Sequence, residues 1–264
     1  MSKIVFAVAA HPDDIEFMMS GTLFRLKAAG CELHYMNLCN GDCGTAVYDK
    51  PTIARIRREE GMAAAAYLGA RFHESLTSDL EIFYDLPTLA RMTAVMREVQ
   101  PDLLLVQYPD DYMEDHCNAV RLAVSAAFNR GMINAPCEPA RPPFNHPVTV
   151  YHALPHGLRT PLDRPVEPGC FVDVSGVIDS KREMLAKHRS QKEWLDLSQG
   201  MDAYVNEMAE EAAAVGRMSG TFAYAEGWTR HNPLGFCGRN DDPLNELLGD
   251  KIRRNPDRQG VVRK

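Results

Sequence analysis

Short apolar runs alternate with segments of helical spacing along the first part of the chain. The runs are rich in Val, Leu and Ile and occupy residues 4–10, 32–38, 103–107 and 148–154. Between the early runs, apolar residues recur at intervals of three and four, which is the periodicity of a helix with one buried face. Strands that alternate with helices in this way predict an α/β fold built on a parallel sheet.

This order of elements also predicts where a ligand would bind. Crossover connections between parallel strands are right-handed in nearly all proteins, so the carboxyl ends of the strands lie along one edge of the sheet. In open α/β sheets the ligand lies just outside this edge, on the loops that follow the strands. The residues that directly follow each apolar run are therefore the candidates for function.

Length and composition favour one large domain. The chain has 264 residues, a length at which α/β chains often form a single domain. After Cys237 the composition turns to Asn, Asp, Arg and Lys, which is typical of a solvated surface. The prediction is a single domain over residues 1–237, followed by a polar C-terminal tail over residues 238–264.

Charge and hydropathy argue against two classes of partner. The chain carries 29 Lys and Arg against 36 Asp and Glu, so it lacks the basic excess with which nucleic-acid-binding proteins neutralise phosphate. Its longest early apolar run, 4–10, is far short of the ~20 residues that a membrane-spanning helix needs. We expect neither a nucleic-acid partner nor a membrane span.

The N-terminus and the cysteines predict a cytoplasmic protein. Only one charge, Lys3, precedes the first apolar run, and no small-residue cleavage site of a signal peptide follows it. The seven cysteines are odd in number and scattered, which favours reduced thiols over a disulfide framework.

Residues 131–147 contain five prolines and have too little periodicity for a simple connection between two elements. The segment is a candidate either for a lid or for a subunit contact. Together with the long helix expected after Gly200, it leaves a homo-oligomer as an open prediction.

The first apolar run leads directly into His11-Pro12-Asp13-Asp14. These residues supply one imidazole and two adjacent carboxylates at the predicted ligand edge, without a glycine-rich loop for phosphate. Adjacent carboxylates at a turn cannot easily face the same atom, so one could bind a cation while the other faces the open position of that cation. The alternative is that Asp13 or Asp14 only caps the next helix.

The run at 103–107 ends in a second loop of metal-type ligands, Asp110 to His116. A lone His116 would more often be a capping or surface group, but a His-Asp pair at another strand end on the same edge reverses that expectation. Two imidazoles and one carboxylate leave coordination positions for water, as catalytic zinc sites do. The same ligand types also suit iron(II).

These motifs together resemble the LmbE / PIG-L family of metal-dependent N-deacetylases over roughly residues 3–230. The strand-end motif His-Pro-Asp-Asp is specific, whereas the shorter motifs would be weak alone. The resemblance rests on Ala10-His11-Pro12-Asp13-Asp14-Ile15-Glu16-Phe17, Gly21-Thr22-Leu23, Gly30, Gly41-Asp42-Cys43-Gly44, Arg57-x-x-Glu60 with Ala63 and Ala64, Leu68-Gly69, Asp111-Tyr112-Met113-Glu114-Asp115-His116 and His188-Arg189-Ser190-Gln191.

The resemblance implies a Rossmann-like fold, in which a mostly parallel sheet has helices on both faces. It implies zinc on His11, Asp14 and His116, while the ligand types leave Fe²⁺ or another divalent ion open. It further implies that Asp13 is the general base on the metal-bound water, and that the substrate is a small N-acylated amino sugar or glycoconjugate that loses its acetyl group.

The sequence departs from the family at one catalytic position. Similar members have His-x-x-His in the second loop, and the first of these histidines is thought to stabilise the oxyanion or protonate the leaving group. Here that position is Met113, which cannot donate a proton. His156, after the run at 148–154, is our preferred catalytic substitute, against the alternative of a surface-loop histidine. Tyr112 could donate through its phenol or serve only in packing.

Three further residues are candidates for substrate binding. Arg57 lies one helical turn from Glu60, which by itself indicates a surface ion pair, whereas the family match indicates that Arg57 faces the substrate. Asp42 either hydrogen-bonds sugar hydroxyls or holds a turn. His188 either lines the pocket or caps a helix.

Two functions from different classes remain open. The first is a zinc-dependent hydrolase that removes an N-acetyl or other N-acyl group from an amino sugar. The second is a metal-binding, non-catalytic or regulatory protein on the same scaffold, because Met113 replaces the expected histidine.

Overall fold

The computed structural model describes residues 2–191 and 203–256, which form an eight-stranded sheet flanked by helices. The strands are β1 Ile4–Ala9, β2 Glu32–Asn37, β3 Arg71–His73, β4 Leu103–Val106, β5 Thr149–Ala153, β6 Cys170–Asp173, β7 Ala225–Arg230 and β8 Ile252–Arg254. The helices are α1 Asp14–Met18, α2 Ser20–Ala28, α3 Lys50–Leu68, α4 Leu86–Val99, α5 Glu114–Asn129, α6 Ile178–Leu185, α7 Ala203–Ser219 and α8 Pro243–Leu248.

The strand order is β3-β2-β1-β4-β5-β7-β6-β8. The first five strands in this order pair in parallel, and the remaining three are joined through antiparallel pairs. The chain leaves β1 towards β2 on one side and later returns to place β4 on the other side. The order therefore reverses between β1 and β4, and such a reversal opens a crevice at the carboxyl ends of the two strands.

The central strand β1 is buried on both faces. Val5, Ala7 and Ala9 pack in one apolar cluster, and Phe6 and Val8 pack in another on the opposite face. Successive side chains of a strand point to opposite faces, so helices must cover both sides of the sheet. This double burial explains why the sequence of β1 is continuously apolar rather than alternating, and it confirms the predicted α/β architecture.

The four strands predicted from apolar runs are present, but the sequence does not reveal the antiparallel part of the sheet. Strand β7 has no continuous apolar run in the sequence, because the charged Glu226 lies in its buried part. The Glu226 carboxylate accepts the backbone N–H groups of Gly21 and Thr22 and lies 2.6 Å from Nζ of Lys181. A buried carboxylate with three donors is a stable arrangement. A charged residue in the strand nevertheless interrupts the apolar run by which a buried strand is recognised in the sequence.

The structure differs from the polar tail expected over residues 238–264. Helix α8 and strand β8 lie in that segment, and β8 pairs with β6 at the end of the sheet. Leu244 is fully buried in the core, and the Tyr151 hydroxyl donates to Asp242 at 2.8 Å. The expectation was wrong for residues 243–254. A few buried apolar side chains and pairing with an edge strand are enough to order a short segment of polar composition.

The proline-rich segment 131–147 lies at the opposite end of the sheet from the ligand edge. Arg97 near the end of α4 donates to the carbonyl oxygens of Met132 and Arg141, and the His146 ring lies 3.1 Å from the carbonyl oxygen of Gln100. Gln100 precedes β4 rather than following it. A lid over the strand carboxyl ends is therefore wrong for this segment, whereas a subunit contact stays a prediction.

Each helix within residues 2–191 and 203–256 is too short or too polar to cross a bilayer.

Replacing Leu244 by Ala tests whether the C-terminal segment belongs to the core. We expect Leu244→Ala to lower the free energy of unfolding by about 2–5 kcal/mol, because the side chain is fully buried and leaves a cavity. Urea denaturation measures the change. Leu234→Ala is the matched control, since Leu234 is 81% exposed, and it should change stability by less than about 0.5 kcal/mol. Equal effects of the two substitutions would contradict the assignment.

Candidate metal centre and active site

A cavity of about 430 Å³ opens at the carboxyl ends of β1, β4 and β5. The loops after these strands form its walls together with α7. Its lining includes the candidates His11, Asp13, Asp14, Arg57, Tyr112, His116 and His156. The switch point of the sheet therefore coincides with the residues that follow the predicted strands.

His11, Asp14 and His116 converge in this cavity. His11 follows β1, Asp14 begins α1, and His116 lies in the first turn of α5. Nδ1 of His11 lies 3.5 Å from Oδ2 of Asp14, and Nε2 of His116 lies 3.4 Å from Oδ1 of Asp14. Two ligand atoms of a tetrahedral zinc lie roughly 3.4 Å apart, given zinc–ligand bonds of about 2.0–2.2 Å. The spacing fits one shared divalent ion.

A carboxylate binds the far nitrogen of each imidazole. Nε2 of His11 lies 3.1 Å from Asp115, and Nδ1 of His116 lies 2.9 Å from Asp111. Metal-ligating histidines usually donate their second N–H to such a partner, which fixes the ring and the free nitrogen. Both partners were missed as functional residues, although their positions one and five residues before His116 were the available signal.

The chemistry of the donor set also fits a cation. Burial raises the pKa of Asp14, but the neighbouring His116 and His11 outweigh this effect and bring the pKa below its usual value. An ionised carboxylate and two imidazoles are ligands that zinc prefers, and iron(II) accepts the same set. The residues present therefore fit the implied metal.

Asp13 lies beside this set with a strained backbone and a buried carboxylate. Its φ of 118° is unusual for a residue other than glycine, and such strain often occurs at functional sites. Asp13 precedes α1 but makes no side-chain capping bond, so the capping alternative is wrong for Asp13. Burial raises the pKa of the Asp13 carboxyl despite the nearby positive charge of Arg57.

Arg57 pairs with Asp13 rather than with Glu60. Its guanidinium lies 3.3 Å from Oδ2 of Asp13 and donates to the carbonyl oxygen of Pro12. Glu60 instead accepts the backbone N–H and the hydroxyl of Ser190, at 2.8 and 2.7 Å. The surface ion pair suggested by the spacing is therefore wrong, because the two side chains hold different segments of the site.

His156, Tyr112 and Met113 all line the cavity. The Tyr112 ring lies 5.7 Å from the His116 ring and 6.1 Å from the His156 ring, measured between centroids. The His156 ring packs edge-on against Phe17 at 4.6 Å. His156 therefore faces the cavity rather than lying on a loop that faces only solvent.

Asp42 and His188 lie behind the cavity wall. Asp42 accepts the backbone N–H of Asp79 at 3.1 Å, which is the turn-holding alternative of the sequence analysis. His188 is fully buried, and its Nε2 lies 3.1 Å from a carboxylate oxygen of Glu16. The structure places neither residue among those that line the cavity.

Tyr204 of α7 is a site residue whose polar contact the sequence does not reveal. Its apolar spacing in a helix predicts packing alone, yet Tyr204 lines the cavity beside Asp13, and burial together with this nearby carboxylate raises the pKa of its hydroxyl. The cavity wall also contains Phe17, Met18, Leu80 and Glu207. These residues come from helices and loops that only the tertiary structure brings to the strand ends.

The PIG-L family model, described as GlcNAc-PI de-N-acetylase, matches residues 6–128. Diacetylchitobiose deacetylase of Thermococcus kodakarensis is 27% identical over 85% of this chain and 82% of its own length. 4-Oxalmesaconate hydratase of Pseudomonas putida is 31% identical over 68% of this chain and 70% of its own length. The structure of N,N'-diacetylchitobiose deacetylase from Pyrococcus horikoshii matches with a TM-score of 0.74 and 23% identity, covering 88% of this chain and 85% of that chain.

The fold and the strand-end ligand set thus define an LmbE-like α/β enzyme. The chain belongs to the PIG-L family, as the sequence motifs predicted.

Removing Asp111 tests whether the second carboxylate orients a metal ligand. We expect Asp111→Ala to weaken zinc binding about 10–100-fold, because His116 loses the partner that fixes its ring. Competition with a chromogenic chelator measures the affinity. Asp110→Ala is the matched control, since the neighbouring Asp110 is exposed. Unchanged affinity in Asp111→Ala would contradict the assigned role.

Proposed function

We propose that this chain is a zinc-dependent N-deacetylase that hydrolyses the N-acetyl, or another N-acyl, group of an amino sugar or glycoconjugate. The observation that carries the proposal is the Asp13 carboxylate, which lies in one cavity with the three converging groups of His11, Asp14 and His116. The T. kodakarensis relative is named a diacetylchitobiose deacetylase, which supports an N-acetylated sugar as the substrate.

His11, Asp14 and His116 would hold the metal. A zinc ion bound there lowers the pKa of a water ligand and polarises the amide carbonyl. Asp13 is the general base, since it takes a proton from the attacking water and can pass one to the departing amine. The guanidinium of Arg57, 3.3 Å from Oδ2 of Asp13, keeps the Asp13 carboxylate in place.

His156 is proposed to supply the proton donor that Met113 cannot. Amide hydrolysis needs a group near the developing oxyanion or the leaving nitrogen. His156 lies on the wall of the same cavity, and its two ring nitrogens face Glu207 and Glu211 of α7. Tyr112 lines the same wall, which supports its proposed contact with the substrate.

Asp42 and His188 remain in the proposal only as residues that support the wall. Asp42 holds the turn that carries Asp79, a lining residue that also accepts the backbone N–H groups of Gly41 and Cys43. A direct contact of His188 with substrate is not supported, because Glu16 and the core enclose its ring.

A hydratase is the second candidate function, and Met113 favours it. Addition of water to a carbon–carbon double bond forms one C–O and one C–H bond. The proton that Asp13 takes from the water can return to the substrate carbon, and no leaving amine has to be protonated. The P. putida relative, at 31% identity, is named a 4-oxalmesaconate hydratase. A metal-binding protein without turnover is the third candidate, and it also rests on Met113.

A substrate panel separates these candidates. Metal-loaded protein is incubated with N-acetylglucosamine, diacetylchitobiose and N-acetylated glycoconjugates, and released acetate is measured. In parallel, 4-oxalmesaconate is offered and mass spectrometry follows a product one water heavier. We expect acetate from at least one sugar. Hydration without acetate release would replace the proposal with the hydratase, and failure on both arms would favour the protein without turnover.

Replacing Asp13 by Asn tests the assigned base. We expect Asp13→Asn to lower kcat about 10²–10⁴-fold, because the amide cannot accept the water proton. Zinc content, measured by elemental analysis, should stay the same, since Asp13 is not a ligand. Exposed Asp110→Asn is the control and should retain full activity. Acetate release at the wild-type rate by metal-loaded Asp13→Asn would refute the assignment.

A further inference from the structure

A second group of metal-type ligands lies on the cavity wall, away from the three converging ligands. It consists of His156 after β5 and of Glu207 and Glu211, which lie one turn apart on α7; we name it the rim cluster. One ligand atom of each residue lies within 4.8 Å of the others. His156 and Glu207 also line the cavity.

The contacts in the rim cluster are too long for hydrogen bonds. Nε2 of His156 lies 3.5 Å from Glu207, and Nδ1 lies 3.7 Å from Glu211, whereas N–H···O bonds usually measure 2.7–3.2 Å. The two distances start from different nitrogens of the ring, and one ion can bind only one of these nitrogens. One ligand atom of each of the three residues nevertheless lies within 4.8 Å of the others. Small movements of these side chains would bring them to the roughly 3.4 Å that separates two ligand atoms of a tetrahedral zinc.

The charges of the rim cluster also favour a cation. Two glutamates at positions i and i+4 of a helix repel each other, and one imidazole can neutralise only one of them. Lys181 also faces Glu211, but its Nζ lies 2.6 Å from Glu226. Burial raises the pKa of Glu211, which means that its carboxylate lacks full compensation. A divalent ion would compensate both carboxylates together.

We propose that the rim cluster is a second divalent-cation site, which takes zinc or a similar ion through one imidazole nitrogen and two carboxylates. The carboxylates alone would also suit a hard ion such as Mg²⁺, but the imidazole favours zinc-like ions. The Glu211 carboxylate is already held, because it accepts the backbone N–H of Gly157 at 2.8 Å.

Occupation of this site has a consequence for turnover, which rests on the proposed function. With a cation on one ring nitrogen, His156 keeps an N–H only on its other nitrogen, and that nitrogen faces a glutamate rather than the substrate. Excess zinc would therefore inhibit the enzyme through His156. The binding site itself does not depend on that role, and the two statements are tested by separate measurements.

Zinc stoichiometry tests the site directly. Chelator-treated, untagged full-length protein is titrated with Zn²⁺ by isothermal calorimetry. We expect two binding events in the wild type. Glu211→Gln should keep the first event and weaken the second by at least about tenfold, since the amide oxygen can still accept from Gly157. Glu210→Gln, on the exposed side of α7, is the matched control and should retain both events.

A second variant guards against misfolding. His11→Ala should lose the tighter event and keep the rim event, and circular dichroism checks that each variant is folded. A single event in the wild type, or two unchanged events in folded Glu211→Gln, would overturn the site. For the consequence, zinc inhibition of acetate release should require about tenfold more zinc in Glu211→Gln than in Glu210→Gln. Equal inhibition of the two variants would overturn the role of His156 while leaving the site intact.

Discussion

The parallel pairing of β1 with β4 is the constraint on which the rest of the site depends. Val8 lies opposite Val106 in that pair, so the loops that begin at Ala10 and Gln107 leave the sheet at the same height. The backbone N–H of Ala10 also donates to the Gln107 side chain at 2.9 Å. The candidate ligands His11 and His116, about a hundred residues apart in sequence, therefore meet without a long or flexible connection.

Burial of paired charges then holds the site in one geometry. Asp13 is enclosed with Arg57, and Glu226 is enclosed with Lys181, which also donates to the carbonyl oxygens of Glu16 and Phe17. A buried charge that loses its partner costs about 3–5 kcal/mol. Each pair therefore opposes movement of the segments that carry its two residues. Through Lys181, helix α1, which carries Asp14, is held against the antiparallel half of the sheet.

Several site residues were predictable because a strand end is visible in sequence. A buried run leads directly into His11, Asp13 and Asp14, and a second run precedes the loop that leads to His116. Because the carboxyl ends of parallel strands lie on one edge of the sheet, these residues are expected together there. The partners Asp111 and Asp115 lie five and one residues before His116, and this proximity in sequence is the signal that they carry. For Arg57 the spacing alone left a surface ion pair with Glu60 open, since helical spacing reveals the face of a residue but not what covers that face.

By itself, the sequence determined the parallel half of the sheet and which candidate ligands follow its strand ends. This was possible because doubly buried strands and the residues that follow them leave local patterns. Only the tertiary structure decided three further features. These are the antiparallel half of the sheet, the helix and strand within residues 243–254, and the surroundings of Tyr204, Glu207 and Glu211. Those features depend on packing between segments distant in sequence, for which a single chain carries no local pattern.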